Sequence, residues 1–360
     1  MADRTSACCG CLLGMAAGDA LGFTIDGKTW EEILEDYGPN GLLGYDIVNG
    51  TVQVSSYTQV GAYVANGLLL GVTRGRPELF EKYIQKSLRE WARRQDMSAG
   101  EPFGCWVAHV PALRAKHNRD GRMLDALRLQ NLGTVDTPRN TNANPGSLIG
   151  AAMVGLAYDP ARMTPEWITR TGAAAVAATH ADPETYLTGA VLANITASIV
   201  QNPLKPFKEH FLLAIQAMDS CYRAENEMAA SLTAKLKKVM TLPVDAPQQV
   251  MEQLQCSTAA QCLAGAMYAC LVSNGDFDTA LITAVNHSGK SAAVGAITGA
   301  MMGGYLGEKK LPDFYLEGLE VAPALRVLAK DLAKGSPAMG LFSTEWEQKY
   351  GLGRPPMLLN

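Results

Sequence analysis

Ser291-Ala-Ala-Val-Gly295-Ala-Ile-Thr-Gly299-Ala-Met-Met-Gly303-Gly-Tyr-Leu306 runs without a charge between Lys290 and Glu308. A bilayer span needs about 20 apolar residues, so this shorter run reads as a buried core helix. Gly295, Gly299 and Gly303 recur every four residues and give that helix a side on which another helix can approach closely. A second small-residue helix lies near the N-terminus, Gly10-Cys-Leu-Leu-Gly-Met-Ala-Ala-Gly-Asp-Ala-Leu-Gly22. It carries one acid, Asp19, which must be satisfied internally or used.

The rest of the chain agrees with a large helical core. Of 360 residues, 48% are hydrophobic and 18% charged, which excludes a disordered chain. The chain is long enough to fold without disulfide or metal staples. The net charge of −4 with no basic run excludes a duplex nucleic acid partner. Met1–Arg4 lacks the pattern of a signal peptide, and no membrane partner is expected. Cysteines at 8, 9, 11, 105, 221, 256, 262 and 270 form no paired zinc knuckle. They read as reduced, buried side chains of a cytoplasmic protein.

Helical periodicity predicts helices over 57–72, 77–94, 163–178, 183–201, 207–223, 226–239, 258–272 and 276–286. Pro77 and Pro183 suit the first turn of a helix, where a missing N–H costs nothing. A short hairpin around Asn49-Gly50 is expected within 45–54. The class is therefore all-α. Three irregular stretches, 38–56, 95–103 and 131–146, interrupt the helices; the last is long enough to suggest a functional loop. No linker divides the chain, so residues 1–335 read as a single domain and 336–360 as a tail wrapping the surface.

Chemistry concentrates at three helix junctions. Asn286-His287-Ser288-Gly289-Lys290-Ser291 enters the glycine-rich helix. It resembles the end of a phosphate-binding loop, but Ala284 stands where the first glycine belongs and a helix precedes it. What survives is a helix N-terminus offering N–H groups to an anion, with Lys290 adding charge; a solvated lysine beside a capping serine is the alternative. Ser55-Ser56-Tyr57-Thr58-Gln59 opens a helix, and Thr179-His180-Ala181-Asp182-Pro183-Glu184 sits at another junction. His180 reads equally as a ligand contact or a local cap. Cys105, His109 and His117 lie in an amphipathic stretch that core packing explains.

Gly10–Gly22, Ser55–Gln59, His180–Glu184 and His287–Gly303 occur in the order and spacing of the ADP-ribosylglycohydrolase family, which this chain resembles from about residue 8 to 307. Asn144-Pro145-Gly146-Ser147-Leu148 looks like that family's ligand loop. The resemblance implies a compact, orthogonal multi-helix bundle. It also implies hydrolysis of a bond to ADP-ribose using two magnesium ions. The sequence departs from the family at the metal motifs. Ser55-Ser56-Tyr57-Thr58-Gln59 stands for Thr-Asp-Asp-Thr-Gln, and Gly289-Lys290-Ser291-Ala292-Ala293 for Gly-Asp-Ser-Asp-Thr. Only Asp26 keeps an acid. Magnesium requires several hard oxygen ligands, and an ammonium among them repels it. No metal or cofactor is therefore expected.

Within the resemblance, Lys290, Asp26 and Tyr57 are the catalytic candidates: Lys290 as a point charge or a base, Asp26 as its counterion, and Tyr57 with Ser56 as hydrogen-bonding groups. Ser55, Ser56, Asn144, Gly146, Ser147, His180, His287, Ser288, Gly289 and Ser291 are the ligand-binding candidates. Three functions stay open. One is a metal-free receptor for a small-molecule nucleotide or an ADP-ribosylated protein. The second is a metal-independent hydrolase or transferase. The third is a structural protein with an empty pocket.

Overall fold

Two glycine series decide how the core is built. In the computed structural model, helix α1 (Arg4–Phe23) packs antiparallel on α14 (Ser291–Leu306). A Cβ on Gly10, Gly14 or Gly18 would lie 2.1, 2.1 or 1.9 Å from the carbonyl oxygen of Gly303, Gly299 or Gly295. A Cβ on Gly22 would lie 2.3 Å from the Ser291 carbonyl oxygen. Two backbones therefore touch along about three turns, which only side chains of hydrogen allow. The sequence predicts a close approach to α14; the partner is the other glycine-rich helix. Their contact also brings residues 19–26 beside the start of α14.

The structure describes residues 3–47, 50–74, 77–95, 104–117, 120–334 and 344–356. After α1 come α2 (Trp30–Tyr37), α3 (Ser56–Arg74), α4 (Phe80–Gln95), α5 (Gly121–Arg128), α6 (Leu148–Ala157), α7 (Pro165–Ala177) and α8 (Pro183–Gln201). Then follow α9 (Phe207–Tyr222), α10 (Met228–Val239), α11 (Pro247–Leu254), α12 (Ala259–Val272) and α13 (Phe277–Val285). Beyond α14 lie α15 (Asp313–Leu316), α16 (Ala322–Lys334) and α17 (Thr344–Trp346). The helices begin where the sequence offers caps. Asp182 accepts from the Thr185 N–H ahead of Pro183, and Thr258 with Gln261 forms a reciprocal capping box. Helix α1 has the length and hydropathy to cross a membrane, which the sequence reading gave to no segment; 89% of its apolar window is buried in this fold.

Two features differ from the sequence expectation, and a third segment takes a form the sequence left open. No strand forms among the described residues; Val52 makes a single parallel bridge to Leu319 instead of a hairpin, and Val48 and Asn49 lie outside the description. The stretch holding Cys105 and His109 folds as two 3-10 turns, Trp106–His109 and Pro111–Arg114, with Cys105 and Trp106 buried. Residues 344–356 do more than cover the surface. Trp346 and Tyr350 are buried, and Lys349 and Tyr350 both bond Asp331 of α16, at 2.5 and 2.7 Å. The irregular segment 96–103 and the tail stretches 335–343 and 357–360 lie outside the described residues. All eight cysteines are free thiols, and seven are buried.

Candidate functional site

The long loop before α6 is held by its own asparagines. Asn140 Oδ1 accepts from the Asn142 N–H, Asn142 Oδ1 from the Asn144 N–H, and Asn144 Oδ1 from the Gly146 N–H. Short amide side chains bond the backbone two residues on, so alternating asparagines make a ladder of turns. Asn140 Nδ2 also donates to the Thr179 carbonyl, fastening the ladder to the end of α7. The ladder places Gly146 where a Cβ would stand 2.9 Å from Asp120 Oδ2 and 3.0 Å from His180 Nε2.

Those two side chains form the centre of the site. His180 Nε2 donates to Asp120 Oδ2 at 2.9 Å, and Asn142 Nδ2 donates to the same oxygen at 3.2 Å. A carboxylate only accepts, so Nε2 carries a proton toward Asp120. Ser147 Oγ and Thr179 Oγ1 stand 2.8 and 2.9 Å from Nδ1. Burial works to raise the Asp120 pKa, but His180, with the hydrogen bonds from Asn142 and the Met123 N–H, outweighs it and brings it down to about 2. Asp120 also caps α5 through the Arg122 N–H and keeps 12% of its side chain exposed. Ser147, His180 and Asp120 are the partners of a hydrolase triad with the ring reversed, but Ser147 is 1% exposed and shares Nδ1 with Thr179. This network orients His180 and Asp120 and does not present an attacking hydroxyl.

A second cluster surrounds the start of α14. Asp26 Oδ1 accepts from the Ala292 N–H at 3.1 Å, so a carboxylate of the chain itself already occupies part of that helix terminus. The Gly27 N–H donates to the Gly289 carbonyl, and the Lys290 N–H to the Cys256 carbonyl. Burial pushes the Cys262 thiol well up, the Asp26 charge adds to that, and Lys290 opposes it; both charges thus act on one point of the cluster. Tyr57 joins the two clusters. Burial raises its phenol well above the ordinary range, with Asp26 the strongest of the charges and Asp19 and Asp120 adding to it. A partly exposed aromatic pair, Phe23 stacked on His117 at 5.6 Å, flanks them, and His117 Nδ1 lies 3.0 Å from the Val54 carbonyl.

Asp19 anchors the helix that carries Tyr57. It accepts from the Ser55 N–H and hydroxyl at 3.0 and 2.5 Å, and from the Thr58 N–H and hydroxyl at 2.9 and 2.5 Å. Burial pushes its carboxyl up to about 6 against these four donors. The lone acid of the glycine-rich helix is thus a cap supplied from α1 to the first turn of α3.

The family model for ADP-ribosylglycohydrolases matches residues 1–340. The chain belongs to the ADP-ribosylglycohydrolase family. Among solved structures, a chain titled "ADP-ribosylglycohydrolase-related protein complex" matches with a TM-score of 0.60 at 20% identity, over 93% of this chain and 99% of that one. At that identity the likeness concerns the fold. No curated protein matches the sequence.

Set against the family's motifs, the candidate residues fall into three groups. Gly146, Ser147, Asn144 and His180 lie together, beside Asp120 and Asn142. Asp26 and Lys290 lie at the start of α14, and Ser56 and Tyr57 form the first turn of α3. The others are tied inward. Ser55 bonds Asp19; Ser288 Oγ accepts from the Trp30 N–H and its N–H donates to Glu252; the Ser291 hydroxyl reaches back to the His287 carbonyl. His287 is fully buried, no partner meets its ring nitrogens among the described residues, and burial lowers it to about 4. Gly289 fits against the carbonyls of Gln255 and Cys256, where a Cβ would stand 2.8 and 3.0 Å away. The sequence reading missed Asp120, and it assigned His117 to core packing. The one available signal for Asp120 was its place as a cap before Gly121, at the end of an acid-free stretch from Gly104 to His117.

Proposed function

We propose that this family member is a metal-independent receptor for ADP-ribose or a related nucleotide, free or attached to a protein, and that it has lost magnesium-dependent hydrolysis. The donor set at the metal-motif positions carries this reading. Ser55 and Thr58 direct their hydroxyls to Asp19, Tyr57 offers a buried phenol, and Lys290 brings an ammonium where the family has an aspartate. Among the described residues no group of three or more His, Cys, Asp or Glu side chains converges in a ligand arrangement. One carboxylate, Asp26, cannot hold two hard cations. The residues present do not fit the family's metals, and no step is assigned to them.

The ligand side is better equipped. Ionised Asp120 accepts hydrogen bonds from ribose hydroxyls, and the missing side chain of Gly146 leaves room for Asp120 and His180 to stand against the loop. Lys290 supplies a point charge for a diphosphate. The free thiols support a reducing, cytoplasmic location. A second reading, metal-independent cleavage or transfer at a glycosidic bond, draws on the titratable character of Asp26, Tyr57 and Lys290. Thermal unfolding in EDTA tests the first reading. ADP-ribose should raise the melting temperature of the protein and leave His180→Ala nearly unmoved. No shift in either protein contradicts it; product formed in EDTA moves the protein to the second reading.

A further inference from the structure

The chain is acidic as a whole, yet one part of its surface is not. The segments 80–95, 104–117 and 120–130 together carry nine Lys and Arg against four Asp and Glu, in a chain whose net charge is −4. The fold brings them together: α4 packs on both 3-10 turns and on α5. On α4, Lys82, Lys86, Arg89 and Arg93 fall at helical spacing on one face and line a groove of about 400 Å³. Lys82, Lys86 and Arg93 are exposed.

The acids of this region are engaged locally. Glu90 is buried and pairs with Arg93 and Arg94 at 3.2 and 2.7 Å; Asp125 pairs with Arg128, Glu81 accepts from Gln85, and Asp120 faces His180. With exposed Glu78 and Asp136 at its border counted too, nine Lys and Arg stand against six Asp and Glu, so the net field of the face is positive. The face also adjoins the site. Arg89 donates to the carbonyls of Leu129 and Gln130 at 2.7 and 2.8 Å, fastening α4 to the C-terminal end of α5, whose N-cap is Asp120. An eight-residue helix, about 12 Å long, separates the cationic groove from the carboxylate on His180.

We infer that this face is a docking surface for an acidic peptide segment of a partner protein, the stretch flanking the residue presented to the site. The inference rests on the proposed function for why the surface borders the site, but not for its charge. Lys82 to Arg93 covers about 17 Å of helix, the length of about five residues of extended peptide. Nucleic acid single strands need stacking platforms as well as charge. Here Phe80, Trp91 and Trp106 are buried, and on α4 only Tyr83 is half-buried, so no row of exposed rings runs along the face.

The test is fluorescence anisotropy with a labelled ten-residue Glu/Ser peptide, a Lys/Ser peptide and a labelled oligo(dT), added to the full chain. The Glu/Ser peptide should bind at low salt, lose at least about tenfold in affinity by 0.5 M salt, and outcompete the other two. The double variant Lys82→Glu, Lys86→Glu changes exposed side chains, spares the Arg93 pair with buried Glu90, and should keep the wild-type melting temperature. It should lose at least about tenfold in peptide affinity and bind ADP-ribose like the wild type. Equal peptide binding by both proteins, no peptide binding, or preference for oligo(dT) overturns the inference. Peptide binding without any ADP-ribose binding supports this surface while sinking the reading of the site.

Discussion

Gly18 and Gly295 meet backbone to backbone: a Cβ on the first would lie 1.9 Å from the other's carbonyl oxygen, and a Cβ on the second 2.2 Å from that of Gly18. The contact sits one residue from Asp19 and four from Ser291, so the closest packing in the core also fixes the floor of the site.

Alanine at this seam must separate the two helices. Gly14→Ala and Gly299→Ala each place a methyl about 2 Å from a carbonyl oxygen of the partner helix. Each should cost about 3 kcal/mol or more in urea unfolding, at the upper end of overpacking. Gly304→Ala is the control: its Cβ would meet Ile199 Cγ2 at 3.4 Å, an ordinary contact. That variant should be neutral or gain up to about 1 kcal/mol from helix propensity.

Asp19 should give the fold an acid-side stability component. Its pKa in the fold, about 6, lies above its ordinary 3.8. The contribution is fully present below 3.8 and is lost as the pH rises through about 6. Asp19→Asn removes the titration and cannot accept all four donated hydrogen bonds. The stability advantage of the wild type over this variant should be larger at pH 4 than at pH 7, by an order of 2–3 kcal/mol. A difference that grows with pH would contradict the burial argument.

Asp120 behaves in the opposite sense. Its carboxyl is held at about 2, so its stabilising effect is present above 3.8 and lost as the pH falls through about 2. Asp120→Asn keeps a residue able to cap α5 and removes the charge on His180. At pH 7 it should weaken ADP-ribose binding about tenfold or more, as expected for losing a charged hydrogen-bond partner.

Lys290 is tested by Lys290→Ala. If its ammonium meets a diphosphate, affinity for ADP-ribose falls about tenfold or more, while affinity for adenosine is unchanged. An unchanged dissociation constant for both removes Lys290 from the site.

Much of the fold is readable because long helices repeat their apolar positions over several turns and carry caps. The helices expected over 183–201 and 207–223 form within a residue of those limits. The eight-residue helices α2, α5 and α11 show that period for barely two turns and escape notice. Helix α16 lies outside the expected helices although Leu325, Leu328 and Leu332 are at helical spacing. The site is harder to read. Gly146, Ser147 and His180 sit in recognisable motifs, but Asp120 acquires its role from a partner 60 residues away. A cationic face assembled from three segments likewise has no run in the sequence to mark it.

The central claim is nucleotide recognition without magnesium. The most direct test is calorimetric titration of the protein with ADP-ribose, first in EDTA and then in excess magnesium. The account predicts binding with the same dissociation constant in both. Binding that appears only with magnesium would contradict it and restore the family's metal-centred mechanism.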